Sequence, residues 1–161
     1  MAHTCYIGID NGVSGQIALL MDSSVNLFRT PVKSEYNYTK AKQKVTRVQW
    51  DEFMDILNLA PEDTLVVLER PMVNPLRFKA STSALRCLEA TLIAVEKKNF
   101  ARMYCDSKEW QKAMLPSGLE GIELKKASLD IGKRLFPKLE WKGFKDADGL
   151  LMAEYVRRRG F

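Results

Sequence analysis

Residues 5–31, CYIGIDNGVSGQIALLMDSSVNLFRTP, decide the fold. CYIGI is an apolar run too short for a helix and reads as a buried strand. GQIALLMD and VNLFRTP then form a hairpin turned by Asp22, Ser23 and Ser24, so the chain opens as a three-strand antiparallel meander. Asp10 ends the first strand, where an unpaired carboxylate is costly because leaving water opposes its ionisation.

Working outward, the polar and basic stretch from Lys33 to Thr46 has no strong periodicity and reads as a loop. Trp50, Phe53, Met54 and Leu57 then fall at helical spacing. TLVVLE, residues 64–69, follows a turn at Pro61 to Asp63 and reads as a fourth strand ending in a second misplaced acid, Glu69. Arg70 to Ser81, with Pro71 and Pro75, reads as a loop, and Ser83 to Lys98 as a helix. ARMYC gives a fifth strand. Asp106 and Glu109 have the spacing of a capping box opening a helix through Trp110 and Met114, with Trp110 read as packing. ELKKASLDIGKRLFP and KDADGLLMAEYVRRR are the last two helices, the latter carrying Asp146 and Asp148.

This order predicts an α/β fold, a five-stranded mixed sheet flanked by helices, in one domain spanning residues 1–161. The Asp10 and Glu69 strands become parallel central neighbours, bringing both acids to one sheet end, and the last helix delivers Asp146 and Asp148 there. A divalent cation would remove the cost of gathering them.

Composition narrows the partners. The hydrophobic fraction is 46% and no apolar run approaches the ~20 residues that span a bilayer, so no membrane association is expected. MAHTCYIG has no signal-type leader. Cys5, Cys87 and Cys105 are odd in number and far apart, which argues against a disulfide framework or zinc site and fits a reducing cytoplasm. The net charge is +5, with basic clusters at Lys40 to Arg47, Arg70 to Lys79, Lys125 and Lys126, and Arg157 to Arg159. A polyanion is the favoured partner, a solvated face the plain alternative for each cluster.

IGIDNGVSGQIALL, VVLERP, STSALRCLEATLIAVEKK, DSKEWQKAMLPSGLEGIELKKASLDIGKRLFP and KDADGLLMAEY, in this order, resemble the RuvC-like Holliday junction resolvases, in particular their phage-type branch within the ribonuclease H-like nucleases. The resemblance implies a crossover junction endodeoxyribonuclease of a bacterial or phage-infected cell. It would cut four-way junctions, and Y or flap DNA, as a homodimer. It makes Asp10, Glu69 and Asp148 metal ligands, with a fourth ligand about a turn before the last. Here that position is Lys145, and Asp146 is the nearest acid. Oxygen ligands favour Mg²⁺, with Mn²⁺ as substitute, and two ions would serve phosphodiester hydrolysis.

The same resemblance points to Lys112 and one of Lys125 and Lys126 near the scissile phosphate. Arg70, Arg77, Phe78 and Lys79 follow the second acid as candidate DNA contacts. Phe78 either inserts at an opened junction or packs under its own loop. Two other readings stand beside the nuclease. One is a catalytically silent nucleic-acid-binding domain of the same fold. The other is a kinase or actin-like ATPase with GIDNGVSG as phosphate loop, which the short length opposes.

Overall fold

The computed structural model describes residues 3–161; Met1 and Ala2, the first residues of the MAHTCYIG stretch read above, lie outside them. Strands β1 (Cys5–Asp10), β2 (Gln16–Met21) and β3 (Val25–Arg29) form the expected antiparallel meander. The β2–β3 turn closes through Met21 N–H to the Ser24 carbonyl at 2.9 Å. After β4 (Val32–Tyr36), β5 (Lys44–Val48) and helix α1 (Trp50–Asn58), β6 (Thr64–Glu69) pairs parallel with β1. Helix α2 (Phe78–Lys97) crosses to β7 (Ala101–Cys105), parallel to β6, and α3 (Ser107–Met114), α4 (Gly121–Leu135) and α5 (Asp148–Arg158) complete the chain. The five-stranded order is β3-β2-β1-β6-β7.

Alternation along the central strands separates two cores. Cys5, Ile7 and Ile9 of β1, with Val66 and Leu68 of β6, pack under Phe53 and Leu57 of α1 and Ala94 and Val95 of α2. Tyr6 and Val67 face the other way, beneath Leu151, Met152 and Val156 of α5 and Trp110 of α3.

Three expectations need correction. Lys33 to Thr46 is a second, two-stranded sheet of β4 and β5, not a loop. Its strands are mostly exposed and pair only with each other, so burial leaves little apolar signature. The helix read from Ser83 begins at Phe78, after a 3₁₀ turn at Pro75–Arg77 that the Asn74 side chain caps by accepting from Leu76 N–H at 2.9 Å. Its first turn is mostly exposed and shows no apolar periodicity. The capping box at Asp106 does not form: Asp106 pairs with Arg70 at 2.8 Å, and Glu109 takes Tyr155 and Arg159. Charged partners outcompete a backbone amide for these carboxylates.

Candidate metal centre

Asp10 is the last residue of β1 and Glu69 of β6, and parallel pairing sets both at the same sheet end. Asp148 arrives from across the sheet as the first residue of α5. What allows its close approach is glycine on glycine: a Cβ on Gly8 of β1 would lie 1.9 Å from the Gly149 carbonyl oxygen. Helix α5 therefore rests directly on β1. Gln16, buried opposite Asp10 in the β1–β2 register, fixes the arrangement. Its Oε1 accepts from Leu150 N–H at 3.2 Å, and its Nε2 donates to the Asp146 carbonyl at 2.9 Å.

Carboxylate oxygens of Asp10, Asp146 and Asp148 lie within 4.8 Å of one another. Asp146 precedes α5 and has two tasks: its Oδ1 accepts from Asp148 N–H at 3.2 Å, and its Oδ2 pairs with Lys125 Nζ at 3.1 Å. Lys125 also pairs with Asp148 Oδ2. Buried Ser128 donates to Asp148 Oδ1 at 2.5 Å and accepts from Ala147 N–H at 3.0 Å. Glu69 stands outside this tight group, half-buried, its Oε1 accepting from the buried Trp110 Nε1–H at 3.4 Å.

The charges are mutually perturbed. Burial pushes the Asp10 carboxyl up to about 8; Lys125 opposes the shift, and Glu69, Asp148 and Asp146 add to it. Burial and Asp146 also raise Asp148, against Lys125 and Ser128. Burial pulls Lys125 down, but Asp148, Asp10 and Asp146 outweigh it and hold the ammonium above its ordinary range. A half-buried group of hard oxygen donors that repel one another fits a divalent cation, and Lys125 supplies positive charge at the same place.

No protein-family model and no curated protein matches the chain. Solved structures do. Thermus thermophilus RuvC in complex with a Holliday junction substrate aligns with a TM-score of 0.64 at 13% identity, over 98% of this chain and 97% of that one. A second Thermus thermophilus RuvC structure gives 0.58 at 14% identity, over 97% and 96%. The yeast mitochondrial Holliday junction resolvase Ydc2 gives 0.50 at 12%, over 98% and 80%. The fold is RuvC-like.

On this RuvC-like fold the remaining predicted residues are exposed. Lys125 alone of the candidate lysines pairs with the acids; Lys112 and Lys126 lie on α3 and α4. Arg70 is occupied by Asp106 and stacks over Tyr104 at 5.4 Å. Phe78 is not packed under its loop but 72% exposed at the start of α2, near Arg77 and Lys79. The Arg157 to Arg159 cluster is spent internally, on Glu154 and Glu109. Trp110 is in the core, as read.

Gln16 and Ser128 were missed by sequence reasoning. For Gln16 a signal existed, an amide at the head of the apolar run QIALLM. Ser128, on α4, had none. Among the described residues, no helix is long and apolar enough to cross a membrane, and all three cysteines are free and buried.

Proposed function

We propose that the chain is a metal-dependent endodeoxyribonuclease, one domain that resolves Holliday junctions and other branched DNA by phosphodiester hydrolysis. The observation that carries this reading is the gathering of Asp10, Asp146 and Asp148 at one sheet end of a RuvC-like fold, with Glu69 on the neighbouring strand. Asp10, Asp148 and Glu69, with Asp146, would hold Mg²⁺ or Mn²⁺. When bound, two ions supply activation of the attacking water and stabilisation of the leaving 3′ oxygen. Gln16 and Ser128 hold the acids in place. Lys125, released from Asp146 and Asp148, faces the phosphate together with Lys112 or Lys126 and offsets the charge that builds on its oxygens. Arg77, Phe78 and Lys79 grip DNA beside the cut.

A four-way junction is nearly two-fold symmetric, so two sites in a homodimer would cut opposing strands. A second reading, a silent DNA-binding domain, draws support from Lys125, which already partly neutralises the acids. The deciding experiment is Mg²⁺-dependent cleavage of a fixed four-way junction beside linear, flap and three-way DNA, paired with Mn²⁺ calorimetry. Junction cuts at symmetric positions support the nuclease. No cleavage and no Mn²⁺ heat, with DNA affinity intact, leave only the silent domain.

A further inference from the structure

The β4–β5 hairpin has no counterpart in the sheet that carries the acids, and its construction is orderly. Its base is closed by Gln49 N–H to the Pro31 carbonyl at 2.8 Å, and Asn37 N–H extends the ladder to the Gln43 carbonyl at 2.8 Å. At the tip, Asn37 Oδ1 accepts from Thr39 N–H at 3.2 Å and from its hydroxyl at 2.6 Å, and Lys42 adopts a left-handed φ of 45°. This ribbon buries little of itself, so folding alone does not account for its side chains.

Between the hairpin and the first turns of α2 lies a cleft of about 970 Å³. That is near the top of the roughly 300–1,000 Å³ range of ligand-sized pockets. Lys44 borders it on the hairpin side, Lys79 and Arg86 on the helix side. Glu35 is the one acid among the described lining residues, and it is taken by Arg47 and by Lys33 at 3.6 Å. Three aromatic rings also line the cleft, and none is packed away: Tyr36 is 64% exposed, Tyr38 100% and Phe78 72%. Lys44, the register partner of Tyr36, lies 5.9 Å from its ring. The cleft also reaches the loop that follows Asp10, since Val13 lines it and Asn11 Nδ2 ties that loop to the Ala84 carbonyl at 3.2 Å.

We propose that this cleft receives an unpaired DNA strand at the branch point, bases stacking on Tyr36, Tyr38 and Phe78 and phosphates meeting Lys44, Lys79 and Arg86. The inference rests on the branched-DNA reading above and adds a surface to it. Cations alone would suit a duplex arm equally well. Exposed rings interleaved with cations suit unstacked bases, whose faces a closed duplex keeps covered.

The test uses a four-way junction carrying 2-aminopurine at the branch point, with Ca²⁺ in place of Mg²⁺ to suppress cutting. The parent should change the probe's fluorescence on binding. Tyr36→Ala/Tyr38→Ala should lose most of that change and bind the junction roughly tenfold more weakly. Its affinity for a linear duplex should stay within about twofold, and Tyr36→Phe/Tyr38→Phe, which keeps the rings, should restore both signals. Lys44→Ala/Lys79→Ala should lower the salt slope of junction binding by about 1.4. The cleft proposal is overturned if the alanine pair leaves fluorescence and affinity unchanged, if it weakens duplex and junction equally, or if the phenylalanine pair fails to rescue. A parent that neither binds nor cuts junctions refutes the branched-DNA reading and this proposal with it. A parent that cuts normally beside an unaffected alanine pair refutes this proposal only.

Discussion

Asp10 shows how one carboxylate links stability to the proposed chemistry. Its pKa is raised from 3.8 to about 8, so the metal-free fold favours the protonated form. A folded-state value above the unfolded one means stability fully present below about pH 4 and lost as pH rises through 8. The melting temperature of the metal-free protein should therefore fall across that window, and Asp10→Asn should flatten the fall while cutting junction cleavage by more than about 100-fold. Thermal melts and single-turnover rates check the pair; a variant that cleaves at the parent's rate would sink the metal assignment. An ion must also displace the proton. Mn²⁺ affinity measured by calorimetry should thus rise by up to about tenfold per pH unit between pH 6 and 8. Asp10, Asp146 and Asp148 were legible as acids set against apolar runs. That Asp146 would join the tight group while Glu69 stood beside it was not, because a turn before a helix has no fixed direction in sequence.

At the scale of elements, the decisive contact is α5 on β1. Gly8→Ala places a methyl where the Gly149 carbonyl sits, and the helix must lift. It should destabilise the protein by about 2–3 kcal/mol or more, read from urea melts. Gln16→Ala removes both hydrogen bonds that hold the N-terminal end of α5. A loss of about 1–3 kcal/mol is expected with it. Mn²⁺ affinity should fall roughly 10–100-fold, since Gln16 orients an acid rather than replacing one. Unchanged Mn²⁺ binding in a folded Gln16→Ala protein would show that it only packs. The meander, α1, β6 and α5 were legible because each buries an apolar run or face; β7, mostly exposed, was read from the short run ARMYC, and α4, which buries only Ser128 and Gly132, from a helical stretch that stops at Pro137. The β4–β5 hairpin and the first turn of α2 were not legible, since neither buries an apolar face.

For the whole molecule, the +5 charge favours a polyanion, but the fold changes which cations are available. Arg157 to Arg159 pair with Glu154 and Glu109, whereas Lys44, Lys79 and Arg86 line a cleft. Paired cutting of a junction requires two sites, so light scattering at micromolar concentration should give twice the 18.4 kDa chain mass. A monomeric mass would contradict the dimer. The sequence by itself determined the opening meander and the shared sheet end of Asp10 and Glu69, because short, continuous apolar runs that each end in an acid have few ways to bury themselves. Only the tertiary structure decided how Asp148 reaches Asp10, which lysine meets the acids, and that an exposed hairpin forms a cleft with the start of α2. Those depend on contacts between distant segments, such as Gly8 against Gly149, which local periodicity does not encode.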